Sequence, residues 1–433
     1  MQPDTGDRVL VTRGKERFEG ILLQSMDPAV VLLKLDSGYN IGIRKQGAKL
    51  KLVRQFEAVK KKAAAKQEES PDLPRVTILH TGGTIASRVD YATGAVVAKF
   101  TPEDVLELIP ELKTICRVRS VFVANVQSES MRFGHYNLIA KAIEKEIAGR
   151  EKPKGIIITH GTDTLHYSAA ALAFMLGNID VPVILVGAQR SSDRGSSDAA
   201  VNVTCAARFI VKTDFAGVAI CMHRGMGDEL GVILPACKSR KLHTSRRDAF
   251  KAVNAGAIAE VAYREDVVRF LRDDYYRPGQ GKLAVKLFKE TINVGLLKTH
   301  TNTYPGDYLH FKDYKGLVIE GTGLGHAQTT GFDRLSAINE KNKKALAKVC
   351  EEAIVVMCSQ CIFGRVNMNV YSPQRELLEI GVIGGEDMTA ETAFIKLAWL
   401  LSNYPKEEAK KLMAQNLRGE ITGRTIPEDD VLA

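Results

Sequence analysis

The chain has 433 residues, 45% hydrophobic and 26% charged, a composition typical of globular proteins with two or three domains. Its formal charge of +9 permits contact with nucleic acid, and the absence of a run of about 18 apolar residues argues against a membrane span. The N-terminus lacks the apolar core of a signal peptide, and the seven cysteines do not follow a disulfide framework. We therefore expect a cytoplasmic protein with reduced thiols.

The first 55 residues predict a small β domain. Turn residues such as glycine, proline and aspartate separate several short apolar runs. These runs predict strands at Arg8–Thr12, Arg17–Ser25, Ala29–Leu35 and Tyr39–Ile43. So many short strands in so few residues are typical of an SH3-like or Tudor-like β-barrel over residues 1–55.

Residues 56–74 predict a linker, because they are polar and of low complexity. Nine basic residues lie between Arg44 and Lys66, across the end of the β domain and the start of the linker: Arg44, Lys45, Lys49, Lys51, Arg54, Lys60, Lys61, Lys62 and Lys66. Two interpretations remain open: a solvated linker, and a patch that faces the phosphates of RNA.

Two glycine turns follow strongly apolar segments. Val76–Leu79 precedes Thr81-Gly82-Gly83-Thr84, and Ile156–Ile158 precedes the run His160-Gly161-Thr162-Asp163-Thr164. Such turns place hydroxyl groups at the carboxyl edge of a buried parallel sheet, where open α/β folds bind ligands. A helix that begins after the second turn adds free N–H groups and a positive dipole end. This combination suits attack on an acyl carbon and stabilisation of an oxyanion.

The rest of the chain alternates strands and helices, which predicts parallel sheets. We expect helices at Thr101–Asp104 onward, along an apolar stripe at 138–147, at Thr164–Leu176 and at Thr389–Ser402, and strands at Gly316–Glu320 and Ala353–Met357. The pattern weakens over 276–315, which predicts a connector between α/β domains at 75–275 and 316–433.

We predict no bound ligand for two further motifs. The loop Gly321–His326 lacks the full dinucleotide fingerprint. Cys358 and Cys361 form a single CxxC without a second pair or a nearby histidine, so we predict core or loop thiols and no metal site.

The two threonine turns together resemble the signature segments of the L-asparaginase/glutaminase family. The resemblance extends from about Val76 to about Leu417 and includes four further segments: Asn125–Met131, Val181–Arg190, Ser197–Asn202 and Lys241–Phe250. It implies two asparaginase-like α/β domains. It also implies a homodimer, since the family loop matching Gly321–His326 reaches a neighbouring subunit.

A small barrel ahead of such a body resembles the glutaminase subunits of archaeal glutamyl-tRNA(Gln) amidotransferases. That resemblance implies hydrolysis of glutamine to supply ammonia for conversion of Glu-tRNA(Gln) to Gln-tRNA(Gln). A partner transamidase, the E subunit, would perform the conversion in a heterotetramer. The chain has no ATP-binding motif, so we expect no cofactor on this chain and ATP and Mg at the partner.

The resemblance also assigns catalytic roles. Thr84 would be the nucleophile, and Tyr91 would activate it. Thr162, Asp163 and Lys241 would form a second group, in which the lysine acts as a base only when it is neutral. The sequence does not decide which threonine attacks.

Recognition of the amino-acid head group follows from charge. Ser128 would donate to the α-carboxylate, and Asp163 would attract the α-ammonium. Glu129 stands where many bacterial relatives have glutamine, and a carboxylate there would strengthen the attraction for the ammonium group.

Two alternatives stay open beside the amidotransferase subunit: a stand-alone L-asparaginase, and a binding protein with an inactive body. The presence of both threonines, the aspartate and the lysine favours an enzyme. The extra barrel and the basic stretch favour the amidotransferase subunit. Glutamine and asparagine differ by one methylene group, and the sequence does not reveal which is preferred.

Overall fold

The computed structural model describes residues 3–23, 25, 27–37, 39–55, 72–82, 101–190, 196–279 and 281–425, and the backbone alone of 87–89 and 96–98. The predicted catalytic residues Thr84 and Tyr91 lie outside the described residues, as do 56–71 of the predicted linker with its four lysines. In the part of the chain that is described, no helix is long and apolar enough to cross a membrane.

The N-terminal domain is a five-stranded antiparallel sheet with the strand order β4-β3-β2-β1-β5. Its strands are β1 (Arg8–Arg13), β2 (Glu16–Leu23), β3 (Val30–Lys34), β4 (Asn40–Arg44) and β5 (Ala48–Arg54). The edge strands β4 and β5 are joined by residues 45–47 alone. The four Cα–Cα steps from Arg44 to Ala48 reach at most about 15 Å, whereas the edges of a flat five-stranded sheet lie about 19 Å apart. The sheet therefore closes on itself around Val9, Val11, Val31, Leu33 and Ile43, which confirms the predicted small barrel.

The first α/β domain is built on an eight-stranded sheet. Its strands and small hairpins are β6 (Arg75–His80), β7 (Ser87–Val89), β8 (Val96–Ala98), β9 (Arg117–Phe122), β10 (Gly155–Thr159), β11 (Leu176–Gly177), β12 (Pro182–Val186), β13 (Gly217–His223), β14 (Leu230–Pro235), β15 (Ser239–Lys241), β16 (Phe250–Ala252), β17 (Ala259–Ala262) and β18 (Val267–Phe270). Its helices are α1 (Pro102–Leu108), α2 (Phe133–Ile147), α3 (Leu165–Met175) and α4 (Ala199–Lys212), with short 3-10 turns at Pro110–Thr114 and Ser128–Ser130.

The order of the large sheet is β18-β17-β14-β13-β12-β10-β6-β9. The five strands from β9 to β13 in this order are parallel, and β14, β17 and β18 continue the sheet in antiparallel fashion. Strands β6, β10 and β12 are buried almost throughout, as expected for a parallel sheet covered on both faces.

The second α/β domain has a four-stranded parallel sheet. Its elements are β19 (Ala284–Val285, paired with β11), β20 (Val294–Lys298), α5 (Pro305–Leu309), β21 (Gly316–Gly321), α6 (Asn339–Glu352), β22 (Ile354–Ser359), α7 (Ser372–Glu379), β23 (Ile383–Gly384), α8 (Ala390–Asn403) and α9 (Lys406–Met413). Strand β20 pairs with β21, so the stretch predicted as a connector already contributes a strand to this sheet.

Two buried helices join the α/β domains. In α3, ten of eleven residues are buried, and the helix packs against α8. Phe174 stacks on Trp399 with ring centroids 5.6 Å apart, and Tyr167 meets Phe394 edge-on at 6.4 Å. Helix α8 is buried on more than one side because α3 and strands β20 and β21 enclose it.

The chain after α9 returns to the first domain. Arg418 donates from Nε to the carbonyl oxygen of Ala173 in α3 at 2.9 Å. Two fully buried ion pairs hold this region, Lys238 with Asp387 at 2.7 Å and Lys396 with Glu420 at 2.7 Å. Burial lowers the pKa of both lysines, and their carboxylate partners oppose that shift.

Candidate active site

Loops that follow the parallel strands converge at the carboxyl edge of the large sheet. The backbone N–H of Thr81 donates to Thr159 O at 3.3 Å, and Val126 donates to Thr81 O at 3.0 Å. The N–H of His160 donates to Val186 O at 2.9 Å. Both predicted threonine turns therefore begin at one edge, where open α/β sheets bind ligands.

Two glycines allow these loops to touch. Gly82 has a φ of +111°, and a Cβ there would lie 2.4 Å from the carbonyl oxygen of Val126. A Cβ on Gly161 would lie 2.8 Å from the hydroxyl of Ser128. Only a residue without a side chain permits these backbones to approach so closely.

Lys241, in the β15–β16 hairpin, contacts two residues of the second threonine turn. Its Nζ donates to Thr162 Oγ1 at 2.8 Å and to Asp163 Oδ1 at 2.8 Å. The lysine side chain is 11% exposed, whereas that of Asp163 is 67% exposed. The three residues that the sequence grouped together are thus in direct contact, with the carboxylate open to solvent for an incoming cation.

Gln189 also contacts this group, although no role for it followed from the sequence. Its Oε1 lies 3.5 Å from Thr162 Oγ1, and its buried Nε2 has no hydrogen-bond partner among the described residues. The loop is held by Asp198, whose carboxylate accepts from the backbone N–H of Gln189 at 3.0 Å and of Arg190 at 2.9 Å. Its position after β12, beside the turn after β10, is the signal that would have found it.

Ser128 and Glu129 differ in exposure. Ser128 is buried against Gly161, and its carbonyl oxygen accepts from Thr164 Oγ1 at 2.6 Å. Glu129 is exposed. Ser128 therefore lies at the Thr162 turn, while the Glu129 carboxylate is accessible from solvent.

His160 holds the same turn through two hydrogen bonds of its buried ring. Its Nδ1 lies 2.7 Å from Gly161 O and its Nε2 lies 2.7 Å from Ser168 Oγ. The carbonyl can only accept, so Nδ1 carries the proton and Nε2 accepts from the serine. Burial lowers the pKa of His160 to about 4, which keeps the ring neutral.

The CxxC pair is divided between interior and surface. Cys358 is buried, which raises its thiol pKa, and Cys361 is exposed. Within the described residues, no three histidine, cysteine or acidic side chains are gathered so that they could hold a metal ion.

Three family models match the chain. The asparaginase N-terminal model matches residues 75–275, and the glutaminase/asparaginase C-terminal domain matches 293–413. The GatD N-terminal domain matches residues 4–53, the region of the barrel.

Curated relatives match over almost the whole chain. The D subunit of glutamyl-tRNA(Gln) amidotransferase from Archaeoglobus fulgidus is 43% identical, over 97% of this chain and 96% of that protein. The corresponding D subunit from Pyrococcus furiosus is 44% identical, over 98% of this chain and 96% of that protein.

Solved structures match the two α/β domains. The thermostable L-asparaginase from Thermococcus kodakarensis superposes with a TM-score of 0.70 at 28% identity, over 81% of this chain and all of that one. L-asparaginase I from Vibrio cholerae gives a TM-score of 0.67 at 26% identity, over 81% of this chain and 99% of that one.

Proposed function

Because the chain belongs to the asparaginase family, and within it to the D subunits of glutamyl-tRNA(Gln) amidotransferases, we propose that it is a glutaminase that supplies ammonia for tRNA-dependent amidation. Relatives of that name are 43% and 44% identical to the chain over nearly its whole length, which supports the proposal. The match of its barrel to the GatD N-terminal domain supports it independently.

The observation that carries the proposal is the contact of Lys241 with Thr162 and Asp163. A hydroxyl needs a proton acceptor before it attacks or activates water. Lys241 provides that acceptor when it is neutral, and the exposed Asp163 carboxylate attracts the α-ammonium of glutamine.

The chemistry follows in two steps. A threonine hydroxyl, with Thr84 our first choice, adds to the carboxamide carbon of glutamine while its proton passes to a base. The tetrahedral intermediate collapses, the C–N bond breaks, and the nitrogen leaves as ammonia after taking up a proton. Water then cleaves the resulting ester to release glutamate and restore the hydroxyl. Backbone N–H groups at the start of α3 would stabilise the negative oxygen.

The remaining parts of the reaction belong to other chains. A transamidase E subunit would accept the ammonia and bind Glu-tRNA(Gln), and ATP and Mg would act there. We further propose a homodimer within a heterotetramer, in the cytoplasm.

Ammonia release from glutamine and from asparagine tests the function. We would measure it with the protein alone, then with the transamidase partner, then with Glu-tRNA(Gln) added. Glutamine hydrolysis that rises strongly with partner and tRNA is the expected result. A rate indifferent to both would contradict it.

The second candidate is a stand-alone L-asparaginase, which the superposition on two L-asparaginases favours. In that case asparagine would be hydrolysed rapidly by the protein alone. The same assay therefore separates the two candidates, and the barrel would then need another explanation.

A further inference from the structure

Six of the ten basic residues in residues 1–55 lie at one end of the barrel. At this end the turn between β1 and β2 lies beside the turn between β4 and β5, because Arg13 pairs with both Glu16 and Ala48. We call it the cationic end, and it consists of Arg13, Lys15, Arg17, Arg44, Lys45 and Lys49.

These six side chains are exposed, and within the described residues none of them forms a salt bridge or a side-chain hydrogen bond. The acids at this end are Glu16, which is exposed, and Asp27, whose carboxylate accepts from the N–H of Ala29 at 2.8 Å. At the opposite end, by contrast, Arg8 pairs with Glu19 at 2.6 Å and with Asp36 at 2.5 Å. The barrel is thus neutralised at one end and carries unmatched positive charge at the other.

Sheet geometry directs part of this charge to one outer face. Thr12 pairs with Arg17 on one side and with Lys49 on the other, so the three side chains point to the same face. Arg17 and Lys49 are separated by two strand spacings, about 10 Å. Like charges held this close repel each other, unless an anionic partner neutralises them.

Strand β5 begins at the cationic end and runs to Arg54, which pairs with Arg8 at the opposite end. Of the described aromatic side chains of the barrel, Phe18 packs against the barrel core and Tyr39 lies at the β3–β4 turn. The six cations of the cationic end can neutralise phosphates.

We propose that the cationic end of the barrel binds the phosphate backbone of RNA. The identification of that RNA as the tRNA substrate rests on the proposed function. The contact is electrostatic and independent of sequence, so it positions the tRNA on the complex and does not select it.

The test uses the full chain with its transamidase partner and fluorescently labelled tRNA(Gln), with anisotropy measured over a range of salt concentrations. A triple variant, Lys15→Glu, Lys45→Glu and Lys49→Glu, should bind about tenfold or more weakly. The slope of log K against log salt should fall by roughly two, since each lost phosphate contact contributes about 0.7 to 0.9. An unrelated tRNA should lose affinity by the same factor.

The matched control changes three exposed lysines of the second α/β domain, Lys312→Glu, Lys344→Glu and Lys348→Glu. It alters net charge equally and should leave affinity and slope near those of the unaltered protein. All six positions are exposed, so both variants should unfold at nearly the same temperature as the unaltered protein. Thermal unfolding of each variant checks this.

Several outcomes would overturn the RNA contact. One is an unchanged slope in the barrel variant, and another is an equal loss in the control. A third is loss of the partner subunit on size exclusion with tRNA affinity retained, which would make the cationic end a protein-docking surface. If ammonia release ignores tRNA while the barrel variant still lowers the slope, the proposed function fails and the RNA contact stands.

Discussion

Lys241 contacts two side chains of the second threonine turn. Its Nζ lies 2.8 Å from Thr162 Oγ1 and 2.8 Å from Asp163 Oδ1, and its side chain is 11% exposed. The hydroxyl of Thr162 therefore has a nitrogen within hydrogen-bond distance that can exchange a proton with it.

Replacing Lys241 by methionine should lower turnover by about 10² to 10⁴-fold, the usual contribution of an acid–base group. The lysine is the only described amine in contact with Thr162. The measurement is steady-state glutamine hydrolysis, with kcat and KM determined separately. Lys251→Met on the neighbouring strand is the control, as that lysine contacts Asp248 and Arg224 instead. An effect on KM alone would assign Lys241 to binding.

His160 should make the protein less stable in acid. Its folded pKa of about 4 lies below the ordinary value of 6.5, so the unfolded chain binds the proton first. The stability from this residue is present above pH 6.5 and is lost as pH falls toward 4, by about 1.4 kcal/mol per pH unit. His80, with a pKa also lowered to about 4 by burial, acts in the same direction.

Urea unfolding at pH 7 and at pH 5 would measure this dependence. The difference between the two free energies should shrink by up to about 2 kcal/mol in His160→Asn, because that variant has no proton to bind. An unchanged difference would mean that His160 is already charged in the folded protein.

At the scale of elements, the site depends on loops that approach each other closely at Gly82 and Gly161, where a side chain would not fit. Gly82→Ala would place a methyl group 2.4 Å from the backbone oxygen of Val126 and would strain a φ of +111°. We expect a loss of about 1–3 kcal/mol in stability and a fall in activity, because the loop that carries Ser128 must move. Gly225→Ala, with nothing within 4 Å of the added carbon, should change neither. Equal behaviour of the two variants would exclude the close packing of these loops as a requirement.

Local sequence patterns predicted most helices and strands, but they did not predict contacts between residues that are distant in sequence. Four barrel strands, the cap at Thr101 and helix α3 follow from alternation, capping chemistry and apolar runs. Strand β5 was missed although its residues alternate, because its basic residues continue into a basic stretch that indicated a linker.

The grouping of the site depended on resemblance and not on physical pattern. Lys241 and Thr162 are 79 positions apart, and no periodicity connects a short hairpin with a distant turn. Gln189 was matched to a family segment without a role, because its contact with Thr162 depends on the order of β10 and β12 in the sheet. The sites at Thr84 and Tyr91 stay predictions.

For the whole molecule, buried charge joins elements distant in sequence. Lys396 and Glu420 are both fully buried, and Lys396 also donates to the carbonyl oxygen of Met413 at 3.0 Å. Such a pair adds little stability relative to apolar residues, but removing one member leaves the other charge without a partner.

Glu420→Gln should therefore destabilise the protein by about 3–5 kcal/mol, while the double replacement Lys396→Met with Glu420→Leu should recover part of that loss. Urea unfolding of the single and double variants measures both values. Asp180→Asn breaks the partly exposed pair with Lys152 and should change stability by less than about 1 kcal/mol. Additive single and double variants would show that the pair is not coupled.

The return of the chain to the first domain sets an order of events during synthesis. Lys238 of the first domain is neutralised by Asp387, and the carbonyl of Ala173 in α3 is met by Arg418. Asp387 and Arg418 are synthesised long after residues 75–275 have emerged from the ribosome. Until nearly all of the chain has been translated, the first α/β domain would therefore contain a buried lysine without its counter-ion. A nascent chain stalled before Asp387 should be digested by protease in the first domain as readily as in the second.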